Sequence, residues 1–184
     1  MSMRRPRYDM GRVDWIGAEA VGVPGQRTFR LAVYSKTMSA HLWLEKEELQ
    51  ALTEAIAQML HEINTERGLQ IPLRDLGTDN PKPAGFPDPP EFDLTIGALG
   101  LKYDSSREVI ALEAHSREDE EQAPPRFRCL TSREQLEKLQ ANALEVISAG
   151  RPRCPLCGAP LTNPGMPHFC PPTNGHQKLT EEES

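Results

Sequence analysis

A group of cysteines and histidines near the C-terminus restricts most strongly what this chain can fold into. Cys154 and Cys157 lie in a Cys-Pro-Leu-Cys-Gly motif, and His168 and Cys170 follow within the next thirteen residues. Two thiols on a tight turn, followed by further Cys and His side chains, are the ligands that a tetrahedral zinc site requires. Gly158 lets the chain turn back after the second thiol. The sequence therefore predicts a small C-terminal zinc knuckle.

The fourth zinc ligand has two candidates. Cys154, Cys157 and Cys170 supply three thiolates. His168 is two residues from Cys170, so an extended strand would place both side chains on one side. His176 follows Asn-Gly, a tight-turn dipeptide that could fold it back to the metal. The predicted ligands are therefore Cys154, Cys157, His168 and Cys170, with His176 as the alternative fourth ligand.

Prolines make this region dependent on a cross-link. Six prolines lie between positions 155 and 172, so a long helix is not expected there. Few apolar side chains are available for a core, and a bound zinc ion would contribute folding energy directly. A thioredoxin-like Cys-x-x-Cys pair would normally open a helix, and a catalytic zinc would keep one coordination position open. Four or five nearby ligands favour a closed, structural Zn2+ site.

The rest of the chain shows one order of elements twice, three strands and then a helix. Alternating apolar residues mark the strands, and apolar residues three and four apart mark the helices. The tripeptide Ile-Gly-Ala occurs at 16–18 and again at 96–98, so a duplicated unit is the economical interpretation. The predicted strands are 13–21, 28–34, 40–44, 92–99, 109–114 and 126–130; the predicted helices are 46–67 and a second one that follows the capping box Ser132–Gln135 and ends at Gly150.

The predicted fold is α+β. Two strand-strand-strand-helix repeats are expected to form antiparallel sheet, as one shared sheet or half-barrel with both helices on one face, and the zinc knuckle is attached to the second helix. The predicted segments are a flexible N-terminal arm (1–12), a first unit (13–68), a Pro-rich linker (69–91), a second unit (92–150), the knuckle (151–178) and a disordered tail (179–184).

No motif in this chain specifies a reaction. The sequence has no G-x-x-x-x-G-K-[ST] or G-x-G-x-x-G phosphate loop and no G-x-S-x-G elbow. His41, His61 and His115 each stand alone in sequence, which is more typical of packing or surface residues than of catalysts. Cys129 lies in a predicted strand and is interpreted as a small buried hydrophobe. We expect a non-enzymatic binding or adaptor protein that turns over no generic phosphatase, esterase or nuclease substrate.

Five arginines support an alternative function. Arg126, Arg128, Arg133, Arg151 and Arg153 could form one patch if the last strand and the end of the last helix lie close together. Such a patch suits an enzyme or binder acting on a phosphorylated small molecule, because guanidinium groups bind phosphate well; ordinary surface charge is the simpler interpretation. Nucleic-acid binding through the knuckle is a third function, which the net charge of −6 weakens.

Composition indicates the cellular setting. The chain is 38% hydrophobic and 26% charged, and its apolar runs are much shorter than a membrane span. The basic start, residues 1–7, is not followed by the apolar region of a signal peptide. We therefore expect a cytoplasmic protein with no membrane partner, in a compartment where thiols stay reduced and available to a metal.

Several motifs together resemble a bacterial family of unknown function. They are Gly22-Val-Pro-Gly-Gln-Arg-Thr-Phe29, Leu44-Glu-Lys-Glu47, Ala149-Gly-Arg-Pro152 before the paired cysteines, and His168-Phe-Cys-Pro171 before Asn174-Gly175. This set resembles the family designated domain of unknown function 3090, typical of actinobacteria and their relatives, and the resemblance covers nearly the whole chain.

The resemblance implies partners and a ligand, but no reaction. Genes of this family often lie beside those of a histidine-phosphatase-like and a phosphatidylinositol-kinase-like protein, so these products are the expected protein partners. The tail of the family has Gly-His-x-Cys-Pro, which favours His168 over His176 as a zinc ligand. Here Met166 and Pro167 separate Gly165 from His168, so His176 stays an alternative.

We predict one zinc ion per purified chain. Cys154→Ser or Cys157→Ser should release the metal, because either change removes a thiolate, while the strands and helices of residues 13–149 keep their circular dichroism signal. Of His168→Ala and His176→Ala, one alone should weaken zinc binding strongly. Native mass spectrometry measures the metal content, and a metal-free chain with all thiols reduced would contradict the site.

Overall fold

The computed structural model describes residues 5–23, 26–66, 80–119 and 123–149. These ranges contain eight strands and two helices, so the chain is an α+β protein. The strands are β1 (Tyr8–Arg12), β2 (Trp15–Val21), β3 (Thr28–Tyr34), β4 (Ser39–Leu44), β5 (Phe92–Thr95), β6 (Ala98–Asp104), β7 (Val109–His115) and β8 (Phe127–Thr131), and the helices are α1 (Lys46–Glu66) and α2 (Arg133–Ser148).

The strands form two four-stranded sheets. The first sheet has the order β2-β3-β4-β5, and the second has the order β6-β7-β8-β1. In each sheet three strands form an antiparallel meander, and a fourth strand adds in parallel, β5 beside β4 and β1 beside β8. The expectation of one shared antiparallel sheet was therefore wrong. A parallel neighbour needs a long crossover, and α1 provides it between β4 and β5.

The fourth strand of each sheet is the segment that leads into the other sheet. Between β1 and β2, the Val13 N–H donates to the Leu130 carbonyl of β8 (3.1 Å), and the Asp14 N–H donates to the Tyr34 carbonyl of β3 (2.8 Å). Adjacent residues are thus bonded to different sheets. The corner between β5 and β6 has the same pair of bonds, from Ile96 N–H to Trp43 O (2.9 Å) and from Gly97 N–H to His115 O (2.8 Å).

Strand β1 occupies residues that were predicted to belong to a flexible arm. Met10 is its one buried side chain and joins the core. The pairing register with β8 shifts between Asp9 and Arg12, and Gly11 within this bulge has a φ of 61°. Glycine adopts this left-handed conformation without the penalty of a Cβ atom. One buried residue in five gives no alternating pattern, so the sequence did not reveal this strand.

Both helices begin with side-chain caps. Ser132 and Gln135 bond reciprocally at the start of α2, with Gln135 N–H donating to Ser132 Oγ (3.2 Å) and Ser132 N–H to Gln135 Oε1 (2.9 Å). This confirms the predicted capping box. At the start of α1, Glu48 Oε2 accepts from the Glu45 N–H at 2.7 Å. The apolar stripes are buried as predicted: Leu49, Leu52, Ile56, Leu60 and Ile63 on α1, and Leu136, Leu139 and Ala143 on α2.

Each helix contacts the sheet that the other half of the chain supplies. Helix α1 packs against β6, and Asn142 of α2 accepts a hydrogen bond from the Ala18 N–H of β2 (2.7 Å). A hydrogen bond also joins the two helices: Gln140 Nε2 of α2 donates to the Thr53 carbonyl of α1 at 3.1 Å. One hydrophobic core contains side chains from both helices and from the inner faces of both sheets. No helix in the described ranges is long and apolar enough to cross a membrane.

The two Ile-Gly-Ala tripeptides do not occupy equivalent positions. Asp14 and Gly97 have the same role at their corners. Asp14 donates its N–H to the carbonyl of Tyr34, the last residue of β3, and Gly97 donates its N–H to the carbonyl of His115, the last residue of β7. This equivalence places Ile16 with Leu99 rather than with Ile96. The tripeptides are three residues out of register, although the order of elements in the two halves is the same.

Candidate functional site

The predicted zinc ligands lie outside the described residues. Cys154, Cys157, His168, Cys170 and His176 all follow position 149, so the structure neither supports nor contradicts the knuckle. Within the ranges it does describe, no group of three or more His, Cys, Asp or Glu side chains could hold a metal ion. The zinc site therefore stays a prediction.

Two arginines of the predicted patch, Arg128 and Arg133, pair with neighbouring side chains. Arg128 on β8 pairs with Asp9 of β1, and Arg133 donates to Glu137 and to Asn64, each at 2.7 Å. Arg126 precedes β8, and Arg151 and Arg153 lie outside the described residues. Arg128 Nε and Arg133 Nη2 are buried and have no acceptor among the described residues, so each arginine keeps one unpaired donor.

The outer face of the first sheet carries an unusual set of side chains. Alternate residues point away from the core, and on β2, β3 and β4 these include Trp15, Glu19, Arg30, His41 and Trp43. The strand register brings Glu19, Arg30 and Trp43 into one row across the sheet. The next row contains Gly17, Ala32 and His41, whose two small residues leave room above the sheet.

Residues 80–91 run over this face and are fixed to it by side chains. Asn80 Nδ2 donates to the Ile16 carbonyl (2.8 Å), and Lys82 pairs with Glu19 (3.0 Å). The Phe86 ring stacks on the His41 ring, with centroids 5.2 Å apart and planes at 7°. We call this group the outer-face cluster; it consists of Trp15, Glu19, Arg30, His41, Trp43, Lys82 and Phe86.

Ion pairs and cation–π contacts connect the cluster. Glu19 accepts from Arg30 at 2.7 Å as well as from Lys82. Arg30 lies over the Trp43 ring, 5.1 Å from its centroid, and Lys82 lies over Phe86 at 4.0 Å. Burial alone would raise the pKa of Glu19, but the hydrogen bonds from Lys82 and Arg30 outweigh it and lower that pKa. Glu19 is therefore a stable carboxylate between two cations.

His41 is the most buried polar group of the cluster, with 3% of its surface exposed. Burial is the main cause that lowers the pKa of His41, and the positive charges of Arg30 and Lys82 lower it further. The imidazole is therefore neutral near pH 7. Arg30 Nη1 lies 3.3 Å from His41 Nδ1 and can only donate, so Nδ1 accepts and we assign the proton to Nε2.

Two buried N–H donors in the cluster lack an acceptor among the described residues. They are His41 Nε2 and the indole nitrogen of Trp15. Both rings contact Phe86, Trp15 edge-on with centroids 6.2 Å apart. Buried donors without acceptors are uncommon and costly. Two such donors beside two cations suit a ligand that brings hydrogen-bond acceptors.

A cleft adjoins the cluster at the turn between β3 and β4. It has a volume of ≈ 320 Å³ and is bordered on one side by residues 34–39. Pro87, Pro89, Pro90 and Glu91 form the opposite wall. Tyr34 belongs to this cleft and also contacts the Phe86 ring, with centroids 5.9 Å apart, so the cleft and the cluster share a border.

The other candidates from the sequence lie apart from the cluster. His61 is exposed on α1, and His115 is half-buried at the end of β7. Cys129 is fully buried, as predicted, and burial raises the pKa of its thiol to about 12. A thiol so buried and so weakly acidic is not a nucleophile near neutral pH.

Sequence reasoning missed the cluster because it examined each histidine alone. The informative signal was present in the strands that were correctly predicted: Glu19, Arg30, His41 and Trp43 all occupy positions that face away from the apolar side. Pairing β2, β3 and β4 as hairpins would have placed these side chains on one face. Lys82 and Phe86 carried no such signal, because they belong to a segment without regular structure.

Comparison with known proteins gives a family and no function. The family model described as "Protein of unknown function (DUF3090)" matches residues 8–170. No curated protein and no solved structure matches the chain.

We predict that Gly17→Ala displaces the Trp15 ring. An added Cβ would lie 2.5 Å from Trp15 Cζ2 and 3.2 Å from Asn80 Nδ2, so the substitution should destabilise the fold by about 1–3 kcal/mol. Gly100 of β6 is the matched control, because a Cβ there meets nothing within 4 Å. Urea unfolding and Trp fluorescence, both in a Trp43→Phe background, measure the effects. Equal responses of the two alanine variants would contradict the packing described for Trp15.

We also predict that His41 makes stability depend on pH. Because its pKa is lowered in the folded state, the unfolded chain takes up the proton first as the pH falls below about 6.5. The contribution of neutral His41 should be complete above that pH and decrease as the pH falls toward the folded-state pKa. Urea unfolding at pH 7.5 and 5.5 should show that wild type loses stability relative to His41→Gln at the lower pH. If wild type keeps or gains stability relative to His41→Gln between pH 7.5 and 5.5, His41 is not held neutral.

Proposed function

We propose, for a chain that belongs to the DUF3090 family, that it is a non-enzymatic binding protein whose outer-face cluster holds a phosphorylated small molecule. The observation that carries the proposal is the buried, neutral His41, whose Nε2–H lacks an acceptor and lies in the field of Arg30 and Lys82. Phosphate offers both the negative charge and the several acceptor oxygens that these groups can bind.

The charges near His41 support an anionic ligand despite two nearby carboxylates. Arg30 Nη1 lies 3.3 Å from His41 Nδ1. After burial, the positive charges of Arg30 and Lys82 are the next largest causes that lower the pKa of His41, and Glu19 and Asp93 raise it by less. Glu19 holds both cations toward the sheet. A phosphate can share these two cations with Glu19, because Arg and Lys each carry more than one N–H donor.

The same geometry supports binding rather than catalysis. A general base needs a free lone pair within reach of the proton that it removes. The Nδ1 lone pair of His41 is directed at Arg30, and its Nε2 carries the proton. None of the seven side chains of the outer-face cluster carries a hydroxyl or a thiol.

A second proposal is that the chain is also an adaptor for a protein partner. The cleft between residues 34–39 and the prolines at 87–90 supports it, because its walls combine apolar rings with hydroxyl groups. The resemblance implies the histidine-phosphatase-like and phosphatidylinositol-kinase-like neighbours as partners, in the cytoplasm and with the structural zinc knuckle in place. Binding of these purified proteins that Lys36→Glu weakens and Arg107→Glu does not would support the adaptor role, and no binding of either would end it.

We infer further that the two halves, 13–68 and 92–150, are copies of one strand-strand-strand-helix unit. From β2 to α1 and from β6 to α2, the element order, the corner hydrogen bonds and the buried leucine pair of the helix are the same, which supports this inference. Strand β1 relates to β2 as β5 relates to β6. The rings of Tyr8 and Phe92, the first residues of β1 and β5, contact each other with centroids 4.9 Å apart.

We predict that inorganic phosphate binds the wild-type chain and that Arg30→Gln weakens this binding about tenfold or more, the size of a lost charge-assisted hydrogen bond. Lys82→Gln, on a more exposed segment, should weaken it in the same direction. Arg107→Gln is the control, because Arg107 is an exposed arginine on the turn before β7. Isothermal titration calorimetry measures the affinities, and acetate tests whether charge alone suffices.

Saturable phosphate binding that depends on Arg30 and Lys82 but not on Arg107, and that exceeds acetate binding, supports the proposal. Phosphate binding that none of the three variants changes would place the anion elsewhere. Thermal melting of each variant confirms that it is folded. If Arg30→Gln does not fold, Lys82→Gln decides the outcome.

A further inference from the structure

The covering segment suggests which phosphorylated molecules the cluster takes. Phe86 lies at a turn in which its N–H donates to the Pro83 carbonyl at 3.0 Å, and Gly85 precedes it. The neighbouring anchors Asn80 and Lys82 bond to the sheet through other atoms, the Ile16 carbonyl and Glu19. Neither anchor involves the Phe86 side chain.

The Phe86 ring lies where the aromatic ring of a ligand could also stack on His41. Its ring is parallel to that of His41, within the separation typical of stacked aromatic pairs. The Trp15 ring meets it edge-on, and the Tyr34 ring lies 5.9 Å from it at 38°. Three aromatic walls thus surround one ring that is supplied by a segment without regular structure.

The polar surroundings of this ring position are not satisfied by phenylalanine. A phenyl side chain has no acceptor for the Nε2–H of His41 or the indole N–H of Trp15, which are both buried. The ammonium group of Lys82 lies 4.0 Å from the centroid of the Phe86 ring, where any aromatic ring would bind it equally well.

We propose that the Phe86 ring occupies the place of a ligand's aromatic ring, so that the natural ligand is an aromatic phosphate ester whose ring stacks on His41. This rests on the proposed function and adds the ring to the phosphate. The ligand's ring displaces Phe86 and its phosphate binds Arg30 and Lys82. The acceptor oxygens of the phosphate, not the stacked ring, meet the two buried N–H donors. The protein's own side chain is then a competitor that lowers the affinity for the ligand.

The test compares two phosphate monoesters that differ in the ring, phenyl phosphate and ethyl phosphate, on wild type, Phe86→Ala and Phe86→Leu. Phe86→Ala removes the competing ring, so phenyl phosphate should bind it about fivefold more tightly than wild type, the size expected of an aromatic pair. Ethyl phosphate has no ring, so Phe86→Ala should change its affinity less than it changes the affinity for phenyl phosphate. Phe86→Leu keeps an apolar cover without an aromatic ring and should fall between the other two for phenyl phosphate.

A tighter complex of phenyl phosphate with Phe86→Ala, together with a ring-current shift of the His41 Hε1 NMR signal, supports the proposal. Equal affinities of the two esters for Phe86→Ala would overturn the ring site and leave the phosphate site standing. If neither ester binds any chain, the proposed function itself fails. Thermal melting checks folding, and Phe86→Leu replaces Phe86→Ala in every comparison if the alanine variant is unfolded.

Discussion

The architecture depends on two corners at which adjacent backbone N–H groups bond to different sheets. At one corner Val13 completes the second sheet and Asp14 begins the first; at the other, Ile96 and Gly97 do the reverse. A buried strand edge costs free energy when its backbone N–H and C=O groups have no hydrogen-bond partners. The two crossings give each meander a fourth strand, and both sheets contribute side chains to one apolar core.

The same crossings shape the candidate site. After α1 the chain returns to the first sheet and forms β5 before it enters the second sheet. Residues 80–91 lead directly into β5. That approach passes over the outer face, which brings Lys82 and Phe86 to side chains that β2, β3 and β4 display. At matching positions the second sheet has ion pairs instead: Arg128 with Asp9, and Lys102 with Glu113. The two outer faces thus differ although the strand order is the same, and aromatic rings gather on the first one.

Local pattern predicted most of the secondary structure and little of its assembly. The β3 strand, both helix starts and the capping box follow from alternation, helical spacing and cap chemistry, which involve neighbours in sequence. Strand β1, with Met10 as its single buried residue, and the parallel pairings depend on partners far along the chain, which no local pattern specifies. For the site, the outward positions of Arg30 and His41 could have been read from the strands. The stacking of Phe86 could not, because residues 80–91 have no periodicity to follow.

The pairing of β1 with β8 has a consequence for how the chain folds as it is made. Asp9 and Arg128 are bonded partners separated by 119 positions, so β1 has no partner strand until β8 has been made. Contacts this distant in sequence slow folding, because a long loop must be closed before they form. The first meander and α1 can assemble earlier, since their contacts lie closer together in sequence. During that interval β1 is unpaired, and an unpaired strand can pair with another chain.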